Sequence, residues 1–403
     1  MNIKILQINC VYKKGSTGKI VYDIHNSLVN RKIDSVVCYG RGEKFNEPNV
    51  YKVCNEYYAK FNNVLSRING LLYGGCFFST LKLISIIKKE NPDIVHLHCI
   101  NGHFVNIYKL VSWLKQNKIN TVVTLHAEFM HTANCSHAFE CDKWKTGCKN
   151  CPNLKSATGS LFFDRTATSY NKMKNAFANF EKSVIVSVSP WLMERAKQSA
   201  ILYDKKHCVV FNGLNTNVFH ICNNAELKNK LAPNKEKIIF YATPEFNADK
   251  NHIKGGYYVL ELARRLKNCK FIVAGPHSEI MDLPENVTFL GMVKDQKMLA
   301  EYYCAADVTL ITSKRETFSM ICAESLCCGT PVVGFKAGGP ETVSIDEFCR
   351  FCEYGNVSEL ENLIKDALSF EKSDNISNQA MKIYSSDNMI NEYLKIYENM
   401  LEE

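Results

Sequence analysis

SKRETFSMICAESLCCGTPVVGF (residues 313–335), followed by AGGPE (337–341), reads as loop, helix, strand and glycine turn in quick succession. A loop enters a helix at Thr317–Met320, and Met320–Cys327 is the helical run. Pro331–Phe335 is a short apolar strand, and Val308–Thr312, just upstream, is another. Strand, helix and strand in that order make the unit from which parallel sheets are built.

The same alternation extends in both directions. In the second half, Ile238–Ala242, Lys270–Ala274 and Val287–Leu290 read as further strands, with a helix at Tyr257–Leu266. In the first half, strands are expected at Ile3–Ile8, Ser35–Tyr39, Ile94–His98, Thr121–His126 and Val184–Ser187. Helices are expected near Lys19–Asn30, Thr80–Glu90 and Tyr108–Asn117. The turn-forming run at Phe211–Asn215 divides the halves. The expected fold is α/β, with two Rossmann-like doubly wound domains facing across a cleft: 1–211, 212–385, and a terminal helix over 386–403 that crosses back to the first domain. Ligands in such sheets sit beyond the carboxyl ends of the strands.

Length and composition agree. The chain has 403 residues, 46% hydrophobic and 22% charged, which suits two soluble cores. No stretch reaches the roughly 18–20 apolar residues that span a bilayer. Met1–Cys10 reads as a buried strand, not a signal peptide. Most of the 18 cysteines stand singly in apolar segments, the pattern of free thiols in a reducing cytosol. The net charge of +8 favours phosphorylated ligands or anionic lipid without requiring nucleic acid.

The chemistry concentrates in the opening stretch. A helix entered at Thr317, Phe318, Ser319 and Met320 offers amides and a positive dipole end to a diphosphate. Glu316 precedes the helix; Glu324, two turns along, points elsewhere and suits the paired hydroxyls of a ribose. Two glutamates separated by seven residues, a Cys-Gly-x-Pro-Val-Val strand and a Gly-Gly-x-x-Glu-like turn make this sequence resemble glycosyltransferase family 4, retaining enzymes of the GT-B fold. The resemblance implies that Glu316 contacts the donor sugar and Glu324 the ribose. It implies that Lys254, in the Lys254-Gly255 pair, neutralises the leaving diphosphate, and that His126 hydrogen-bonds the donor sugar. Gly15 and Gly18 would let backbone approach donor or acceptor, a role each shares with a plain strand-to-helix turn. Gly275, after the strand Lys270–Ala274, joins the donor-binding set. Many relatives carry Glu-Gly-Phe-Gly where this chain has Glu316-Thr317-Phe318-Ser319, and an arginine upstream of the lysine has no counterpart here.

The implied reaction is metal-independent transfer of a sugar from a nucleotide diphosphate sugar to a glycan or lipid-linked acceptor, as in bacterial capsule, exopolysaccharide and lipopolysaccharide synthesis. The implied location is cytoplasmic, peripheral on the inner face of the membrane. Two rivals stand beside it: a nucleotide-sugar 2-epimerase on the same fold, and a metal-containing nucleic-acid binder. Within an insertion at 131–152, Cys135, Cys141, Cys148 and Cys151 are spaced either as structural zinc ligands or as four free thiols.

Overall fold

The computed structural model describes residues 3–402 other than 279, 281 and 371. It divides into two compact units, Met1–Val210 with Ile390–Glu403, and Phe211–Met389.

The first unit is a seven-stranded, all-parallel sheet: β1 (Lys4–Asn9), β2 (Asp34–Tyr39), β3 (Val50–Lys52), β4 (Ile94–Leu97), β5 (Asn120–Leu125), β6 (Ser183–Ser187) and β7 (Lys206–Val209), ordered 3-2-1-4-5-6-7. The central strands are buried almost throughout, which is why they are mostly apolar on both faces rather than alternating, with Gln7, His96 and Thr124 as buried polar exceptions. The strand order reverses between β1 and β4, so their carboxyl ends open a crevice. The turn after β1 leads into the helix Gly15–Asn30, which starts four residues before the expected Lys19. The terminal helix Ser386–Glu402 contributes the buried Tyr393 and Tyr397 to this unit.

The second unit repeats the plan with six parallel strands: β8 (Lys237–Ala242), β9 (Cys269–Ala274), β10 (Val287–Gly291), β11 (Val308–Ile311), β12 (Val332–Phe335) and β13 (Cys349–Cys352), ordered 10-9-8-11-12-13. Its reversal lies between β8 and β11. The helix after β8 is Gly256–Arg265, and the helix between β11 and β12 is Met320–Cys327, the span read from the sequence. Tyr258, Leu262, Phe271, Leu310 and Phe335 fill one side of this sheet.

Candidate active site

In the second unit the ends of β8 and β11 bring two charged residues together. Lys254 Nζ lies 2.6 Å from Glu316 Oε1, with the two side chains 25% and 21% exposed. Backbone holds both in place. The Lys254 carbonyl accepts from Tyr241 Oη (2.5 Å) and Thr312 Oγ1 (3.1 Å). Gly255 takes a left-handed φ of 70° where a Cβ would strike the Thr312 carbonyl at 2.1 Å, so only glycine fits after this lysine.

Glu316 is gripped by the glycine turn. Its amide donates to the Ala337 carbonyl (3.0 Å), and its carbonyl accepts from the Gly339 amide (2.9 Å). Glu341 accepts from the Ala337 and Gly338 amides at 3.0 and 2.8 Å, closing the turn from the other side. A Cβ on Gly339 would lie 2.4 Å from the Thr317 carbonyl carbon. The AGGPE turn therefore fixes the backbone that aims Glu316.

Ser319 is the N-cap of the 320–327 helix. Its φ is +83°, a region glycine favours, and its hydroxyl accepts from the Cys322 amide at 3.3 Å. Phe318 turns inward, packed against Phe211 and Tyr384 at 5.8 and 6.4 Å between ring centroids, so only its backbone is available to a ligand. Along the helix, Met320, Ile321 and Glu324 line a cavity of about 230 Å³ together with Gly275, Thr243 and Tyr303. Tyr303 Oη donates to Glu324 Oε2 at 3.0 Å, a partner the sequence reading did not anticipate. A Cβ on Gly275 would lie 2.5 Å from the Thr243 carbonyl, so the cavity floor requires glycine there.

The first unit places His126 just past β5, in a row with two other imidazoles. His98 Nδ1 lies 3.3 Å from His126 Nε2, and the His96 and His98 rings are 3.9 Å apart. His96 bonds Tyr397 Oη and Thr124 Oγ1, each at 2.7 Å, and Thr124 bonds Tyr393 Oη at 3.0 Å. Burial holds all three histidines neutral, His126 at a pKa of about 4, with neighbouring imidazoles pushing His96 and His98 further down. His126 is thus a neutral hydrogen-bonding group at pH 7. Gly15 (φ 65°) and Gly18 lie in the turn after β1; Gly15 meets the positive φ, and the Gly18 carbonyl accepts from the Lys13 amide at 3.0 Å.

Cys135, Cys141, Cys148 and Cys151 line one small cavity of about 30 Å³ beside Trp144. Among the described residues, however, no three Cys, His, Asp or Glu side chains converge so as to hold a metal ion. Burial keeps the Cys135 and Cys148 thiols protonated, pushed up to about 12 and about 11. What anchors this loop is Glu128, which the sequence reading passed over. Its carboxylate meets Arg195 Nε at 2.5 Å and the Ala138 amide at 2.7 Å.

Residues 17–218 match the family described as Glycosyltransferase Family 4, and residues 223–383 match Glycosyl transferases group 1. The chain belongs to glycosyltransferase family 4. It is 24% identical over 375 residues to WcaC of Escherichia coli K12, named for glycosyl transfer in colanic acid biosynthesis, covering 87% of this chain and 90% of that one. Sucrose-phosphate synthase of Thermosynechococcus elongatus superposes with a TM-score of 0.70 at 16% identity, covering 99% of each chain. Anabaena HepE, solved with UDP and glucose, gives 0.65 at 15% identity, covering 99% of this chain and 100% of that one. This is a GT-B glycosyltransferase, an enzyme, related to one named for a bacterial polysaccharide. Both matched families are transferases, and neither the epimerase nor the nucleic-acid reading gains support. Among the described residues no helix is long and apolar enough to cross a membrane.

Proposed function

We propose that this family 4 enzyme transfers a sugar, with retained anomeric configuration, from a nucleotide diphosphate sugar to a glycan or lipid-linked acceptor of a bacterial surface polysaccharide, acting in the cytoplasm. The observation that carries this reading is the second unit's grouping of the Lys254–Glu316 pair, the start of the 320–327 helix and the Glu324 cavity.

Each part has a role. Glu324, steadied by Tyr303, accepts from the ribose hydroxyls. The diphosphate lies where the loop Thr317–Ser319 enters the helix at Met320, against the positive end of the 320–327 helix. When the donor arrives, the Lys254 ammonium exchanges Glu316 for phosphate oxygens and neutralises the charge that grows on the leaving group. That exchange frees Glu316 to accept from the sugar hydroxyls, while neutral His126 serves as a hydrogen-bonding group for the sugar. The departing phosphate takes the proton of the acceptor hydroxyl on the same face, giving retention. Lysine and helix amides supply the positive charge in this scheme, so the chemistry is proposed to proceed without a divalent ion. Zinc on Cys135, Cys141, Cys148 and Cys151 is a separate structural proposal that rests on their spacing in the sequence, since the four thiols line one cavity without converging as a ligand set. About one zinc per chain by elemental analysis would support it, and four freely titratable thiols without metal would end it.

The complex of HepE with UDP and glucose makes UDP-sugars the first donors to test. Incubation with labelled UDP-hexoses, a lipid-linked acceptor and a chelator should release UDP in proportion to product. An α-linked product from an α-linked donor supports retention. An inverted product, or turnover that requires added magnesium or manganese, overturns the scheme.

A further inference from the structure

Three thiols of the second unit come together with a half-buried lysine beside them. Cys304, partly exposed, is the second-last residue of the helix Gln296–Ala305. Cys222, also partly exposed, lies in the loop before the helix Ala225–Leu231, and Cys328 is buried at the end of the 320–327 helix. As a thiol, Cys304 donates to the His220 carbonyl at 3.3 Å. Once ionised it accepts instead, from the Cys328 thiol, the Cys222 thiol and the Cys222 amide. Asn224 fastens the loop to the helix: its Nδ2 donates to the Glu301 carbonyl (3.1 Å) and to Cys222 Sγ (3.3 Å). Lys372 Nζ donates to the Cys304 carbonyl at 2.7 Å and to Thr330 Oγ1 at 2.6 Å.

This setting favours the Cys304 thiolate. The Cys328 thiol lowers its pKa most; burial opposes that, and the Cys222 thiol and amide and the Lys372 ammonium lower it further. Cys222 and Cys328 shift the other way and keep their protons, Cys222 chiefly through burial and Cys328 chiefly through Cys304. Burial also pushes up Cys10, Cys99, Cys135 and Cys148. A partly exposed thiolate with a second thiol against it is what a hydroperoxide oxidises first.

We propose that Cys304 and Cys222 form a peroxide-sensitive dithiol whose oxidation weakens nucleotide binding. The Cys304 thiolate attacks hydrogen peroxide: a sulfur–oxygen bond forms, the oxygen–oxygen bond breaks, and the departing hydroxide takes a proton from solvent. Cys222, free to turn on its loop, then attacks the sulfenic sulfur. The disulfide forms, the sulfur–oxygen bond breaks, and the second hydroxide leaves as water with the Cys222 proton. Two thiols lose two electrons, and one peroxide becomes two waters. A small dithiol reverses the oxidation by exchange.

The effect on the nucleotide passes through the preceding residue. The Tyr303 carbonyl accepts from Thr330 Oγ1 (2.6 Å) and Lys372 Nζ (3.3 Å), and Tyr303 Oη donates to Glu324 at 3.0 Å. A disulfide holds its sulfurs about 2 Å apart, nearer than two thiols in contact, so the link draws Cys304 and Tyr303 toward the loop. A hydrogen bond of 3.0 Å does not survive a displacement of about 1 Å. This half of the proposal rests on the ribose role given to Glu324.

Peptide mapping and calorimetric titration with UDP, both on the full chain, test the two halves. Equimolar hydrogen peroxide should link Cys222 to Cys304 ahead of any other pair and weaken UDP binding about tenfold, and dithiothreitol should restore it. Cys222→Ser should stop at a Cys304 sulfenic acid, trapped by dimedone, and Cys304→Ser should leave Cys222 unlinked. Reduced, both variants should bind UDP as the parent does. Oxidation of other thiols ahead of Cys304, or a Cys304–Cys328 link, would overturn the site. A Cys222–Cys304 link that leaves UDP affinity unchanged would overturn the control of binding. A reduced parent that ignores UDP would instead sink the role of Glu324 and the control of binding with it, while the link, read without ligand, would stand.

Discussion

Among the glutamate–cation pairs of the two units, Glu128–Arg195 in the first and Glu316–Lys254 in the second have nearly the same separation, 2.5 and 2.6 Å, and the resemblance ends there. Glu128 is fully buried, its second oxygen occupied by the Ala138 amide. Glu316 and Lys254 are each about a quarter or less exposed, at strand ends beside a helix start. A carboxylate whose oxygens are all taken and which water cannot reach has nothing left for a ligand. A pair that keeps some contact with solvent can exchange partners when a phosphate arrives. Burial and the count of occupied lone pairs, not separation, distinguish a fastening from a working site.

The sharpest way to break this contrast is Lys254→Ala. If the second pair is the working one, turnover should fall by about a hundredfold to a thousandfold, the scale of losing a charge stabiliser aimed at a leaving group. The unfolding midpoint should move little, because a partly exposed pair contributes modestly to stability. Steady-state kinetics and urea unfolding on the same preparation decide it. A destabilised enzyme with normal turnover would exchange the roles assigned to the two pairs.

Glu128→Gln should do the opposite: roughly 3 kcal/mol of stability lost at pH 7, with catalysis per folded molecule nearly unchanged. The pH dependence gives the sign. Burial alone would push the Glu128 carboxyl up, but the His131 ring, the Arg195 guanidinium and the Ala138 amide hold it down, from 4.5 to about 2. A carboxylate depressed in the folded state adds stability that is complete above about pH 4.5 and drains away as pH falls toward 2. The gap between parent and variant in urea unfolding should therefore be full at pH 7 and shrink through that window. A gap independent of pH would mean that packing, not charge, ties down the cysteine loop.

These two pairs also mark what the sequence could and could not reveal. The parallel sheets were legible because buried strands such as Ile238–Ala242 are unbroken apolar runs, and Ile5–Ile8 is broken only by Gln7. The edge strands Val50–Lys52 and Cys349–Cys352 were missed, being short and interrupted by Lys52 and Arg350. Glu316, Lys254 and Glu324, the residues of the proposed site, could be singled out because each stands at a fixed place in a local motif. Glu128–Arg195 and His96–Tyr397 join residues 67 and 301 positions apart, and no local spacing announces them. The helix Glu56–Asn69 escaped notice for another reason: its asparagines and serine weaken the helical pattern, and its apolar residues face away from the core.

A smaller effect sharpens the division of labour within the second unit. Tyr303 Oη donates to Glu324 Oε2, and the part proposed for Glu324 is recognition of the nucleotide. Glu324→Gln should weaken binding of the nucleoside diphosphate about tenfold, the worth of one hydrogen bond to a charged acceptor, and leave turnover at saturating donor within about twofold. Calorimetric titration with the free diphosphate, followed by a donor saturation curve, separates the two. A fall in saturated turnover with unchanged affinity would move Glu324 from recognition into the chemistry.

The smallest effect concerns Ser319, where this chain has a side chain at a position many relatives give to glycine. Its φ of +83° is costly for any residue with a Cβ, on the order of 1 kcal/mol. Its hydroxyl offsets that by capping the Cys322 amide, a bond of similar worth. Ser319→Gly relieves the strain and removes the cap, so the two changes should nearly cancel, with stability shifting by less than about 1 kcal/mol. Ser319→Ala keeps the strain and loses the cap, and should cost about 1 kcal/mol more than Ser319→Gly. Because the residue lies at the helix start where the diphosphate is proposed to rest, donor affinity reports a second quantity. If only the backbone meets the phosphates, Gly and Ala variants should bind donor alike; if the hydroxyl itself donates, both should bind several-fold more weakly than the parent. Thermal unfolding with and without the nucleoside diphosphate, run on the three proteins side by side, reads both quantities at once.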